Sequence, residues 1–285
     1  GGDVALSAGQ DLALTASRVT AGDEAYLYAG KDLNLAAAED SDYSYYSKTK
    51  KGSWGKKSSK MSESENDVAV SSSVDAGKKV SLSAGQDFNA EGAKVSSGDA
   101  LQVSAGHDVN LDTADNYTSQ ANASSKKGLF SSKSSSSSSS QSTVTSTELQ
   151  GNSITVQADN DVTMNAAALK AQQAVKLSAG RDIEIGTAEQ QQTASQSSQS
   201  SKFGFNIVAA PSLTQKAQLG QQSGSQSIGT SISAGSLDIQ SGRDTAVRGS
   251  TLVTDNGLRI DAGRNLDVVS AEDQSASSSK SSSKK

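Results

Sequence analysis

The residues that invite a search for chemistry are one histidine, a regular series of aspartates, many serines, and lysines set beside aromatic rings. His107 fills the x of an Ala-Gly-x-Asp motif, and the same slot elsewhere holds Gln10, Lys31, Gln86, Asn160, Arg181, Arg243 and Arg264. A slot that accepts all of these is an exposed corner position. A ligating or catalytic histidine also needs a partner ligand or an orienting group, and the sequence offers His107 none. A serine nucleophile needs a base nearby, and no such pairing stands out among the serines. The aspartates Asp11, Asp32, Asp87, Asp108, Asp161, Asp182 and Asp244 raise the question of calcium. Calcium takes six to eight oxygens, whereas each motif brings one carboxylate, and the nonapeptide calcium-binding pattern is absent. Capping of a corner by the aspartate side chain is the better reading. The chain is therefore expected to be non-catalytic, with no metal and no cofactor.

The lysine and aromatic clusters carry a sharper expectation. They read Lys50-Lys51-Gly52-Ser53-Trp54, Lys126-Lys127-Gly128-Leu129-Phe130 and Lys202-Phe203-Gly204-Phe205, the last followed by Ile207. Lys48, Lys56, Lys57 and Lys60 also flank Trp54, with no acidic residue among them. Cations beside aromatic rings suit an anionic membrane interface. The competing reading has the aromatics packing between neighbouring segments while the lysines solvate them. Limbs of ~10 residues would match a strand that crosses a bilayer, but Ser-rich limbs make a poor lipid face.

The elements that position these residues follow from a motif written eight times. Its corners are Gly9 with Asp11, Gly30 with Asp32, Gly85 with Asp87, Gly106 with Asp108, Gly180 with Asp182, Gly242 with Asp244, and Gly263; Asp159 takes the glycine slot of the remaining copy. Apolar residues stand five and three places before each corner and three and five places after it, as in Val80, Leu82, Phe88 and Ala90. Of the positions after the corner, only Thr245 is polar. Apolar residues two apart mean strands with one face buried, and Ala-Gly-x-Asp reads as a turn in which glycine supplies a positive φ.

Corners come in pairs 21 residues apart, and within each pair lies one more apolar position, Val19, Val95, Leu169 or Leu252. Three short strands per 21 residues leave no room for the helix that a βαβ unit needs. They fit one coil of a parallel β-solenoid, in which stacked coils bury a continuous core. Eight coils at the strand spacing make a rod of very roughly 40 Å. The coil couplets are expected at 3–35, 80–111, 154–185 and 237–268. Between them run polar insertions at 36–79, 112–153 and 186–236, with a fourth over 269–285. Partial alternation, as in Tyr43-Ser44-Tyr45, and the similar mid-points predict long β-hairpins with the basic, aromatic clusters at their tips. Disorder is the alternative, above all for the run Ser134 to Ser140. Val4 and Leu6 already belong to a repeat, so the segment is expected to begin inside a longer array.

Composition agrees. Hydrophobic residues make up 33% and aromatics 4%, too few for a bulky core unless they recur in phase, which they do. A net charge of −5 argues against nucleic acid as a partner of the whole chain. The absence of cysteine removes disulfides and thiolate metal sites.

A 21-residue coil with Ala-Gly-x-Asp corners, paired and interrupted by Ser-rich insertions with Lys-Lys-Gly-aromatic tips, resembles a known family. It is similar to the second haemagglutinin-repeat region of filamentous haemagglutinin-like exoproteins, and more narrowly to those repeats in effectors of contact-dependent growth inhibition. The resemblance covers essentially the whole chain and implies an all-β, right-handed parallel β-helix. It also implies export by an outer-membrane transporter in two-partner secretion. The localisation would be the surface of a Gram-negative cell, with action at the target cell's outer membrane or on a protein in it. The function implied is help in delivering a C-terminal toxin. In haemagglutinin relatives it would instead be the shaft of an adhesin.

Overall fold

The computed structural model describes residues 1–206 and 209–285, and side chains outside 205–211. Every regular element among the described residues is a β-strand. The sheets built from parallel pairs do not close into a barrel, an arrangement consistent with a β-helix.

Parallel pairing stacks the repeat on itself in three columns. The column before the corner carries Val4 beside Ala25, then Val80, Leu101, Ile154, Val175, Leu237 and Leu258, one strand to the next. The column after it carries Leu12 beside Leu33, then Phe88, Val109, Val162, Ile183, Thr245 and Leu266. Alternate residues of a strand share a face, so the apolar pairs of every copy enter one interior. Leu27, Leu33, Leu82, Phe88, Val103 and Val156 are fully buried there. Thr245 is buried too, and its hydroxyl is 2.8 Å from that of Ser241.

The third column corrects the insertion boundaries. It runs Val19, Val74, Val95, Leu149, Leu169, Ile232, Leu252. Val74, Leu149 and Ile232 fall inside the spans 36–79, 112–153 and 186–236 that the sequence assigns to insertions, yet each is buried as core. Each insertion thus returns to the stack sooner, and its last residues are the third strand of the next coil. A lone apolar residue in a polar stretch has no periodic partner nearby, which is why the sequence does not announce it.

A buried hydroxyl marks each return. Thr147 donates to the carbonyls of Asp112 at 2.6 Å and Ala90 at 3.0 Å, and accepts the N–H of Ala93 at 3.3 Å. Ser72 donates to Ala36 and Leu14, and Thr230 to Gly186 and Met164, in the same manner. All three residues are fully buried. Asp112, Ala36 and Gly186 already accept the backbone N–H of Gly92, Ala16 and Ala166, so the hydroxyl adds a second donor where the chain departs and is itself kept from going unpaired in the interior.

The insertions fold as antiparallel pairs that then pair with one another. Ala38–Lys51 pairs Lys57–Val70, which pairs Ala114–Lys127, which pairs Ser131–Thr145. Ser131–Thr145 pairs Ile183–Asn206, which pairs Ala209–Gly229, which pairs Gln274–Lys284. The match of dimensions explains the couplets. A hairpin adds two strands, about 10 Å, and two coils also advance about 10 Å, so one hairpin for every second coil lets both sheets grow at one pitch. Serine hydroxyls bond across the seams, Ser136 to Ser197 and Ser138 to Ser195 at 2.8 Å each, and Ser59 to Ser125 at 2.7 Å. The serine run is strand, Ser131–Thr145, not disordered loop.

Candidate partner-contact surface at the hairpin tips

The corners come first, because they hold the one histidine and the repeated aspartates. Six of the seven aspartates, all but Asp244, accept the backbone N–H of the aspartate one coil later: among them Asp87 from Asp108 and Asp32 from Asp87 at 3.2 Å, and Asp161 from Asp182 at 3.0 Å. The carboxylates are occupied in tying coil to coil, as corner capping requires. Among the described residues no three His, Cys, Asp or Glu side chains converge on a point.

The corner glycine serves a purpose other than the expected positive φ. The glycines with positive φ are Gly2, Gly55, Gly92, Gly249 and Gly257, none of them a corner glycine. A Cβ on Gly85 would instead overlap the carbonyl oxygen of Gly30, and one on Gly106 that of Gly85. The corners stack backbone on backbone, and glycine favours that close approach; Asp159 is the one copy that fits a side chain into the slot.

The x slot has a pattern that the sequence conceals. Arg181 lies 3.7 Å from Asp161 and Arg243 3.7 Å from Asp182, while His107 Nδ1 is 4.0 Å from Asp87. Arg264 donates Nε to Asp244 at 2.8 Å, its Nη2 bonds the other carboxylate oxygen, and Asn265 adds a bond at 3.0 Å. Chiefly through its hydrogen bond to Arg264, Asp244 is lowered to about 2. These are exposed pairs of small individual worth, and His107 occupies the same corner position as the arginines.

The tips are built by register. One cross-strand row runs from Lys51 to Lys57, Lys127, Ser132, Ser201, Gln215 and Lys284. The row beneath it runs from Lys50 to Ser58, Lys126, Lys133, Ser200 and Lys216. Residues directly opposed across strands share a face, and successive rows face opposite sides. Lys51, Lys57 and Lys127 therefore stand abreast on one face, with Lys126 and Lys133 abreast on the other. Lys202 pairs with Ser131 one row further out, at the end of the second hairpin. Lys50, Lys51, Lys126, Lys127, Lys133 and Lys202 border one open cleft of about 690 Å³.

The aromatic members stand at or beyond this margin. Trp54 is 81% exposed, in a turn where it and Gly55 both have positive φ. Leu129 is 63% and Phe130 53% exposed. The N–H of Phe203 donates to the carbonyl of Phe130 at 2.8 Å. The third hairpin continues past the lysine rows through the pairs Phe203 with Leu213 and Gly204 with Ser212. The Phe205 side chain and Ile207 lie outside the described residues.

Charge is segregated along the hairpins. Residues 48–60, 126–133, 202–216 and 280–285 hold 14 lysines and no acid, a net of +14. The rest of the chain holds 12 Lys and Arg against all 31 acids, a net of −19. Sequence reasoning gathered Lys50, Lys51, Lys126, Lys127 and Lys202 but missed Lys133 and Lys216, whose place depends on pairing across hairpins. Their one sequence signal is their spacing from the tip glycines.

Comparison with known proteins agrees with this layout. The family model described as Hemagglutinin repeat matches residues 1–57, 52–131 and 128–284. Its internal boundaries fall at the first and second hairpin tips. Among curated proteins the chain is similar to the tRNA nuclease CdiA of Escherichia coli (strain STEC_O31), 26% identical over 268 residues. That match covers 93% of this chain and 7% of the relative's length. No solved structure matches the chain.

Proposed function

The chain belongs to the hemagglutinin repeat family, and on that premise we propose that it is a non-catalytic segment of a secreted exoprotein that engages the outer membrane of a target cell. In this reading it is a right-handed β-helix of eight coils of about 21 residues, with hairpins leaving one corner every second coil. It helps deliver a C-terminal toxin during contact-dependent growth inhibition, after export through an outer-membrane transporter. The relative's name describes a tRNA nuclease; the role proposed for this segment is delivery.

The observation that carries the reading is the tip margin. The solenoid and the hairpin bases are acidic, while lysines and exposed Trp54, Leu129 and Phe130 collect along the far edge. Cations at headgroup level with aromatic and apolar side chains at or past them suit an anionic membrane interface. Trp54, the one tryptophan, reports on contact. Titration with outer-membrane vesicles is expected to shift its emission to the blue and to co-sediment the chain, and Trp54→Ser to weaken sedimentation. An unshifted emission with no co-sedimentation would sink the reading.

A second reading is the shaft of a filamentous adhesin. What favours it is the pairing of every described hairpin with its neighbour, which braces the stack from outside. It predicts folded, membrane-inert protein whose bending stiffness falls when a hairpin is removed.

A further inference from the structure

Like charges placed directly opposite each other across a sheet repel. The tip margin nevertheless sets Lys51, Lys57 and Lys127 side by side on three successive strands, and Lys126 beside Lys133 on the opposite face. Among the described residues none of these lysines has an acidic partner within ion-pair distance. The nearest acids along their own limbs, Glu63 and Glu65, lie six and eight residues below Lys57. A cleft of about 690 Å³ opens among the lysines of three hairpins. The next residues of the row, Ser132 and Ser201, bring hydroxyl groups bonded to each other at 2.7 Å.

We propose that Lys51, Lys57 and Lys127, with Lys126 and Lys133 behind them, form a binding site for clustered phosphate groups. The inference deepens the membrane reading and rests on it for the source of the ligand. Three ammonium groups on strands about 5 Å apart span about 10 Å, the width of a compact headgroup. Lysine ammoniums are point charges with rotatable donors, suited to oxyanions presented from varied directions, whereas planar bidentate recognition would call for arginine. A phosphomonoester carries about −1.5 to −2 at pH 7, so two of them balance the row where two carboxylates do not. A long polyanion such as nucleic acid is disfavoured, because the chain outside the tip segments carries a net charge of −19.

The test uses the 1–285 chain and three probes. Vesicles of phosphatidylcholine carry either phosphatidic acid, a phosphomonoester, or phosphatidylglycerol, a phosphodiester, at matched surface charge. Tripolyphosphate is the soluble probe, read by calorimetry. The expected result is at least tenfold tighter binding to the phosphomonoester vesicles, lost in the triple variant Lys51→Gln, Lys57→Gln, Lys127→Gln. Lys94→Gln, on the solenoid, should bind as the parent does. Tripolyphosphate binding that the triple variant abolishes, with no vesicle binding, supports the site and sinks the membrane reading. Vesicle binding that survives the triple variant, or no binding of any probe, overturns the site. The substitutions relieve repulsion, so the variant is expected to melt no lower than the parent, which separates loss of binding from loss of fold.

Discussion

Asp108 donates its backbone N–H to the carboxylate of Asp87 at 3.2 Å, and its own carboxylate accepts the N–H of Asp161 at 3.1 Å. One side chain thus receives the next coil while its backbone is held by the previous one. The repeat propagates through this relationship.

Removing one carboxylate should be felt at its partner. Asp108→Ala leaves the Asp161 N–H without its acceptor and is expected to destabilise by about 1–2 kcal/mol. Asp108→Asn keeps an oxygen in place and should cost less than half of that. Urea unfolding of the two variants against the parent checks the difference, and equal losses would refute the capping role.

The corner glycines should differ by position although they share a motif. Gly85→Ala places a Cβ against the Gly30 carbonyl oxygen and is expected to cost about 1–3 kcal/mol, as overpacking does. Gly9→Ala meets open space and should be close to neutral. A pair of thermal melts decides it. If the two substitutions cost the same, close stacking is not the reason for glycine.

The hydroxyl at the hairpin return can be removed without changing volume. Thr147→Val removes a hydroxyl donor from the carbonyls of Asp112 and Ala90, the first of which keeps the Gly92 N–H, and takes from the N–H of Ala93 its side-chain acceptor. The expected loss is about 1–3 kcal/mol, since the buried N–H of Ala93 goes unpaired. Thr147→Ser should recover most of it, because Ser72 fills the equivalent position. Faster amide exchange at Ala93 in the valine variant would locate the damage.

Acid should loosen the Asp244 corner in a defined window. Arg264, bonded to the carboxylate, lowers it from 3.8 to about 2. A depressed folded-state value means that the pair contributes stability above the unfolded-state pKa near 4. That contribution is lost as pH falls toward 2. Asp244 is partly exposed, so the effect is best read site by site in an NMR titration of its carboxyl. Arg264→Ala should move the titration back up toward 4, and an unmoved midpoint would exclude the arginine as the cause.

Legibility followed the range of the signal. The corner aspartates, the two apolar columns around them and the 21-residue coil were all readable, because each repeats at a fixed local offset. Val74, Leu149 and Ile232 were not, since each is a single core residue at the end of a polar insertion. The signal available for them is a Ser or Thr two places earlier: Ser72, Thr147 and Thr230. At the tips the basic and aromatic character of Lys50 to Trp54 and Lys126 to Phe130 was legible. The side-by-side placement of Lys51, Lys57 and Lys127 was not.

The sequence by itself determined the stack: a period, a corner, and apolar residues two apart that have only one face on which to be buried. Tertiary structure alone decided the hairpin sheet. Seven consecutive serines from Ser134 to Ser140 carry no alternation to select a face or a register. Their pairing with 193–199 is dictated from below, by the adjacent coils from which the two limbs rise one strand-width apart. That shared pitch sets the lysines of separate hairpins abreast, and it is a property of the assembled coils rather than of any one segment.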